Sequence, residues 1–265
     1  IYVIEVNIIN NFSRQNFLVK TKNSSTLLFR NYIKTNEEVT IQYTKEAAAK
    51  VFVSYFKGEY PLALPPFSTS ENTPLNYKPD SFYVLKLSPK GNLNFSATKK
   101  GFYYFQLDTS IHDGLTLFNF SNDYFPEIKK PEDMFYPLRF ITSKEEYDSI
   151  ETSSNIKAAI ESFWLKTDSD KDRARQIIRK YYMRVQKANE LFTSYKEGWK
   201  TDKGMIYLIY GAPNSTYKTQ NYETWSYSDQ VSMSAITFYF NKINPQFTNK
   251  DFVLDRSNTS RQSWF

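Results

Sequence analysis

The sequence predicts an α+β fold, a β-sandwich region followed by a domain of helices and antiparallel sheet. Three observations carry this. Short β-branched and aromatic runs recur at intervals of about ten residues through the first part of the chain. Past Ser143 the apolar residues change to helical spacing. The chain then returns to short apolar runs separated by turn residues. The expected division is 1–140 for the β region and 141–265 for the α+β domain. The β region forms one or two small sandwiches, with a Pro-rich linker at about 58–80.

The first strands are expected at Ile1–Ile8, Asn16–Lys22, Thr26–Ile33, Glu37–Tyr43 and Lys50–Phe56, with polar breaks such as Lys22-Asn23-Ser24-Ser25 between them. Pro61, Pro65, Pro66 and Pro74 make the linker. A second β region offers Phe82–Leu87, Asn92–Ala97, Phe102–Leu107 and Leu115–Phe120. In Asn92–Ala97, Leu93, Phe95 and Ala97 alternate onto one face.

Ser143-Lys144-Glu145-Glu146 is a capping box, in which the Ser hydroxyl and the Glu carboxylate each satisfy a free amide, so a short helix should run from Lys144 to about Ile150. A second helix is expected over Asn155–Trp164. A long one starts at Asp168-Ser169-Asp170, whose acids suit a helix N-terminus. Its apolar stripe runs through Ala174, Ile177, Ile178, Tyr181, Val185, Ala188, Phe192 and Tyr195, and Gly198 is expected to end it. Strands at Met205–Tyr210, Tyr222–Tyr227 and Ala235–Phe240 should then pair against this helix.

Composition limits the chemistry. Hydrophobic residues make up 40% and aromatics 18%, too many for a disordered chain. Cys is absent, which excludes disulfides, thiolate metal sites and a Cys nucleophile. His112 is the sole His, in the loop Ile111-His112-Asp113-Gly114, and no Gly-x-Ser-x-Gly elbow accompanies it, so neither a Ser-His-Asp triad nor zinc is expected. Asp168-Ser169-Asp170-Lys171-Asp172 lacks the Gly and the final Glu of a calcium loop. Paired carboxylates for glycoside hydrolysis cannot be chosen from sequence, and Glu145, Glu146, Glu161 and Glu223 stand out only by abundance. No catalytic residue, metal or cofactor is assigned.

No apolar run reaches the roughly 18 residues of a membrane span. The chain starts at Ile1 inside an expected strand, so residues upstream are anticipated, with room there for a signal peptide or a lipidated Cys. Net charge is +6, and Lys166–Lys203 alone holds 11 Lys or Arg against 6 Asp or Glu. Arg175, Arg179, Arg184 and Lys187 lie mostly off the helix's apolar stripe, which makes them a candidate interaction surface; a solvated face is the plainer reading. No nucleic-acid reader motif accompanies them.

The densest pattern is Gly198-Trp199-Lys200-Thr201-Asp202-Lys203-Gly204 between the long helix and the Met205–Tyr210 run. Its residue types suit architecture. Gly198 permits a tight helix exit, Trp199 folds back on the core, and Thr201 and Asp202 bind local amides. Gly211 and Pro213 shape the next turn, and Tyr207 and Trp225 pair across adjacent strands. In the functional alternative Asp202, Glu223 and Arg184 converge in a ligand-binding cleft.

Gly198, Trp199, Thr201, Asp202 and Gly204 are followed by Tyr207, Tyr210, Gly211 and Pro213, and then by Glu223, Trp225 and Tyr227. This order resembles the GWxTD-domain family of bacterial envelope proteins. The upstream Arg175, Tyr181, Tyr182, Arg184, Val185, Ala188, Asn189 and Phe192 are similar to the family pattern too. Lys203 stands where the family often has Arg. The resemblance implies an exported protein, commonly a lipoprotein of Bacteroidota-type organisms, and implies no activity, cofactor or catalytic residue. The expected function is that of a non-enzymatic accessory subunit in a hetero-oligomeric outer-membrane assembly for export, barrel insertion or uptake. It would sit on the periplasmic or the cell-surface side, held by a lipid anchor or by partner proteins. The alternative is a glycan- or peptidoglycan-binding lipoprotein, or less readily a glycan hydrolase, with a groove lined by Tyr222, Trp225 or Tyr227.

Overall fold

A computed structural model describes residues 17–21, 30–43, 49–57, 60–68, 70, 78–110, 114–120, 124–167, 170–228, 235–243, 247–248 and 250–256. The expected strand Ile1–Ile8, His112, Asp168, Ser169 and the tail 258–265 lie outside them. The fold is α+β, and the chain separates into two compact units. The first is drawn from 1–60, 74–123 and 244–251, the second from 61–73, 124–243 and 252–265.

In the first unit, β1 (Phe17–Thr21), β2 (Glu38–Tyr43) and β5 (Asn92–Ser96) form an antiparallel sheet in the order β1-β2-β5. A second antiparallel sheet has the order β4-β3-β6-β7, from β3 (Lys50–Phe56), β4 (Ser81–Lys86), β6 (Gly101–Gln106) and β7 (Leu115–Asn119). Alternation does the packing. Val39 and Ile41 face inward beside their register partners Phe95 and Leu93, and meet Val51, Val53, Tyr103, Phe105, Leu115 and Leu117 in one apolar core. Phe95 crosses between the sheets, its ring edge-on to Phe105 at 4.9 Å. The β region is therefore one sandwich. The expected strand at Thr26–Ile33 is not one where it is described: Asn31–Ile33 makes only a single parallel bridge, Tyr32 to Phe118, with no second ladder step to extend it.

The second unit holds five helices among the described residues, α1 (Pro131–Phe135), α2 (Lys144–Glu151), α3 (Ile156–Thr167), α4 (Lys171–Phe192) and α5 (Asp202–Tyr210). Its sheet has the order β11-β10-β9-β8, from β8 (Ser215–Lys218), β9 (Tyr222–Ser228), β10 (Ala235–Lys242) and β11 (Phe252–Leu254). The capping box forms: the Glu146 amide donates to Ser143 Oγ at 3.1 Å, and the Ser143 amide to Glu146 Oε2 at 2.9 Å. Asp170 caps α4 by accepting from the amides of Asp172 and Arg173. The Pro-rich stretch contributes to this unit, because Ala63 is buried in its core and donates its amide to Lys200 O at 3.0 Å.

The structure departs from the sequence pattern at two places in this unit. Met205–Tyr210 is not a strand; it is most of α5. Asp202 to Ile206 and Leu208 are all buried, so the helix shows no polar face, and a short helix buried nearly all round carries no period to separate it from a buried strand. Second, α4 stops at Phe192, six residues before Gly198. Thr193 leaves the helix with φ −57° and ψ 126°. Its hydroxyl donates to Asn189 O at 2.6 Å and accepts the Gly198 amide at 3.0 Å.

Several tyrosines hold their protons on backbone carbonyls inside these cores. Tyr181 donates to Pro137 O, Tyr182 to Met134 O and Tyr227 to Gly211 O. Burial raises the pKa of all three and pushes that of Tyr83 to about 12. Unfolded tyrosines ionise near 10. The unfolded chain therefore loses protons first, and stability falls as the pH rises above about 10. Phenolate absorbance during an alkaline titration should show part of the 21 tyrosines ionising only in the unfolding transition; a single smooth titration of all of them with the fold intact would contradict this.

Candidate functional site

The motif segment is a stack of backbones. α4 presents the Ala188 carbonyl, a 3₁₀ turn over Gly198–Lys200 lies on it, and α5 lies on that turn. A Cβ on Gly198 would stand 1.9 Å from Ala188 O, and a Cβ on Gly204 1.9 Å from Gly198 O. Both residues are glycine because backbone occupies the side-chain position. Gly198 thus serves close approach, not the helix ending expected of it. Asn189, buried in α4, ties the layers by accepting the Trp199 amide at 3.2 Å and donating to Pro126 O at 3.2 Å. Trp199 is buried and meets Phe140 edge-on, with centroids 6.0 Å apart.

Thr201 behaves as expected. Its hydroxyl donates to Gly198 O at 2.7 Å and accepts the Gly204 amide at 3.0 Å, capping α5. Asp202 does not bind local amides. It accepts the Leu254 amide at 2.8 Å and pairs with Arg256, whose Nη2 lies 2.5 Å from Asp202 Oδ1. Arg256 also donates to the carbonyls of Leu64, Pro65 and Leu254. One carboxylate in the first turn of α5 thereby fixes both the Pro-rich stretch and the segment after β11. The acid also sits at the positive end of the helix dipole.

Lys203 is buried, and its ammonium lies 2.7 Å from Glu223 Oε2. The other oxygen of Glu223 accepts Trp225 Nε1 at 2.6 Å and has Lys218 at 3.7 Å. Three rings enclose the ammonium: Phe252 at 3.2 Å, Phe240 at 5.8 Å and Trp225 at 5.9 Å. This is an aromatic cage occupied by the protein's own lysine. Burial draws the Lys203 pKa from 10.5 to about 8, with Glu223 pulling the other way. Burial also raises Glu223, but the Lys203 charge and its hydrogen bond, helped by Trp225, outweigh that and leave the carboxyl below its ordinary value. At neutral pH both groups are charged.

Arg184 closes the far end of α5. Its guanidinium donates to the carbonyls of Leu208 at 2.9 Å, Ile209 at 2.6 Å and Tyr210 at 3.3 Å. These are carbonyls that a helix end leaves unpaired. Gly211 follows with φ +82°, and a Cβ there would stand 2.7 Å from the guanidinium. Pro213 lies in the turn from Gly211 into β8.

Asp202, Glu223 and Arg184 therefore do not converge on a cleft; each has a different partner within the second unit. Tyr207 and Trp225 are not a cross-strand pair, since Tyr207 is helical, and Phe192 stands between them with centroids at 5.6 and 5.4 Å. Arg184 is partly buried and is committed to α5, whereas Arg175, Arg179 and Lys187 stand on the exposed side of α4. Arg256 and the cage role of Lys203 escaped sequence reasoning. Thr201-Asp202 ahead of an apolar run is a helix-start signature that marks Lys203 as lying in a first turn; nothing local marks Arg256.

The buried pair gives a double-mutant prediction. Lys203→Met or Glu223→Leu alone strands a buried charge and should cost about 3–5 kcal/mol. The double variant should recover at least ~2 kcal/mol of the additive sum. Trp fluorescence during urea unfolding reads this directly, because Trp164, Trp199 and Trp225 are buried in this unit. Between pH values of about 8 and 10.5 the unfolded chain holds more protons at Lys203 than the folded one, so stability rises across that window in the parent relative to K203M. Additive single costs, or parallel pH profiles, would contradict the buried pair.

Comparison with known proteins bears on this same region. No curated protein and no solved structure matches the chain. The GWxTD domain matches residues 101–265, the span that carries the glycine stack, the Lys203 cage and the Asp202–Arg256 pair. The chain belongs to the GWxTD-domain family.

Proposed function

We propose that this chain is a non-enzymatic accessory subunit of a bacterial outer-membrane protein assembly, acting through protein–protein contacts. The observation that carries the reading is the use made of the motif. Thr201, Asp202, Lys203, Glu223 and Arg184 all bond to groups inside the second unit, so the motif builds a rigid scaffold. The large side chains left on the surface are of the kinds that anchor interfaces, among them Met183, Tyr217 and Tyr239. No helix among the described residues is long and apolar enough to cross a membrane. The proposal includes an envelope location, on either side of the outer membrane, with attachment through a lipid anchor or partner proteins. Export, barrel insertion and nutrient uptake are the client processes in view.

A second reading, glycan binding, has its own observation. On the outer face of the β8–β10 sheet, Tyr217, Thr224 and Tyr239 stand side by side across three strands, with the two tyrosines 62% and 53% exposed. The Tyr222 ring lies 6.1 Å from that of Tyr217. Sugar rings stack on such side chains. Trp225 and Tyr227 do not belong to that face: both are buried on the inner side of the sheet.

Gentle detergent extraction of native envelopes, followed by sizing of the tagged full-length protein, tests the first reading. The protein should run in a stoichiometric complex well above the mass of a single copy, with an outer-membrane protein present. Migration at its own mass, even after chemical crosslinking, would overturn it. The second reading predicts saturable binding of peptidoglycan or polysaccharide fragments that weakens at least about tenfold in Y217A/Y239A, a loss of about 1.4 kcal/mol.

A further inference from the structure

We infer that the outer face of α4 is the docking surface for a partner protein, one whose own surface offers an apolar pocket edged by carboxylates. This rests on the accessory-subunit reading and names the face and chemistry it would use. Met183 is the centre of the site. At 64% exposure it is the most exposed large apolar side chain among the described residues. The core does not need it, because α4 fills its buried side with Ala174, Tyr181, Tyr182, Val185 and Ala188.

Cations surround it. Arg179 and Lys180 lie four and three residues before Met183, and Lys187 four after, which places all three next to it on the helix surface. All are exposed. Lys187 pairs with Glu190 at 2.8 Å, but Arg179 and Lys180 have no acidic partner among the described residues. An apolar anchor inside a charged rim is the usual anatomy of an interface hot spot, and a flexible thioether adapts to the pocket that receives it. The rim's uncompensated charge asks for carboxylates opposite.

The same pattern argues against a uniform anionic surface. Acids stand at both ends of the face, Asp172 near the start of α4 paired with Arg175 at 2.9 Å and Glu190 near its end paired with Lys187 at 2.8 Å. A lipid headgroup layer or a phosphate backbone would have to break these pairs to use their cations, and would meet Met183 as a misplaced methyl. Insertion into a bilayer needs a broad apolar face, and the apolar face of α4 is already inside the core. A protein surface can match the sequence acid, cation, methionine, cation, acid position by position.

The test places a photoreactive benzoylphenylalanine at Met183 of the full-length protein in its native envelope and, in a separate version, at Tyr239 as a comparison on the sheet face. Unchanged Trp fluorescence verifies folding of each version. The version labelled at 183 should give a discrete adduct with a different protein, mapped to a segment where Asp and Glu flank apolar residues. Adding R179E/K180E should lower the adduct yield about tenfold, and raising the salt should lower it too. An adduct indifferent to charge reversal would overturn the assignment, as would adducts with lipid or with a second copy of this chain. A large native complex that crosslinks only through position 239 would overturn this face while leaving the accessory role standing. No adduct from either position, with the chain at its own mass, would overturn both.

Discussion

Everything in the second unit depends on two places where backbone touches backbone. The Ala188 carbonyl occupies the space a side chain would need at Gly198, and the Gly198 carbonyl does the same at Gly204. That contact lets α5 settle close to α4 with only one 3₁₀ turn between them. Once it is there, consecutive residues point to different places. Thr201 caps the helix, Asp202 reaches the Leu254 amide and Arg256, and Lys203 reaches Glu223 on β9. A motif read linearly as a loop is in space a hub from which sheet, Pro-rich stretch and C-terminal segment are each held by one bond set.

The hub is charged and buried, which is an expensive way to hold a fold together. Desolvating Lys203 and Glu223 costs several kcal/mol per ion, and an apolar pair of the same shape often serves as well. What the charges add is direction. An ammonium enclosed by Trp225, Phe240 and Phe252 can meet its carboxylate in few geometries, and the indole N–H of Trp225 fixes the second oxygen of that carboxylate. Asp202 and Arg256 act alike, with Arg256 spreading its donors over three backbone carbonyls. At the opposite end of α5, Arg184 satisfies carbonyls that would otherwise be left without donors. Polar groups so fully committed to one another hold the helices, the sheet and the C-terminal segment of the second unit in place.

Much of this was legible from residue patterns where the pattern had a period. The strand at Asn92–Ser96 alternates cleanly, Lys50–Phe56 is rich in β-branched and aromatic residues, and the capping box at Ser143 marks the start of α2. The resemblance carried by Gly198, Trp199, Thr201 and Asp202 led to the right family. Legibility failed where burial removed the period. α5 is apolar on nearly every side, so its residues fitted a strand equally well. It failed again where partners are remote in sequence: Arg256 meets a residue 54 positions away, and nothing near it in the chain says so. The short elements β8, β11 and α1 have too few residues to set up a period. Gly198 stands out in the sequence without its reason showing, since a glycine that admits another backbone and one that takes a left-handed turn look identical there.

The stacking of α4, turn and α5 rests on those two glycines, and its most direct test is equilibrium urea unfolding of Gly198→Ala and Gly204→Ala, followed by the fluorescence of the buried Trp residues. With carbonyl oxygens 1.9 Å from each new methyl, neither backbone can stay where it is. Each variant should lose on the order of 3 kcal/mol or more, or fail to fold the second unit. Variants unfolding within about 0.5 kcal/mol of the parent, the range of an ordinary surface substitution, would contradict the close stacking of α4, turn and α5, and with it the view that the motif is architecture.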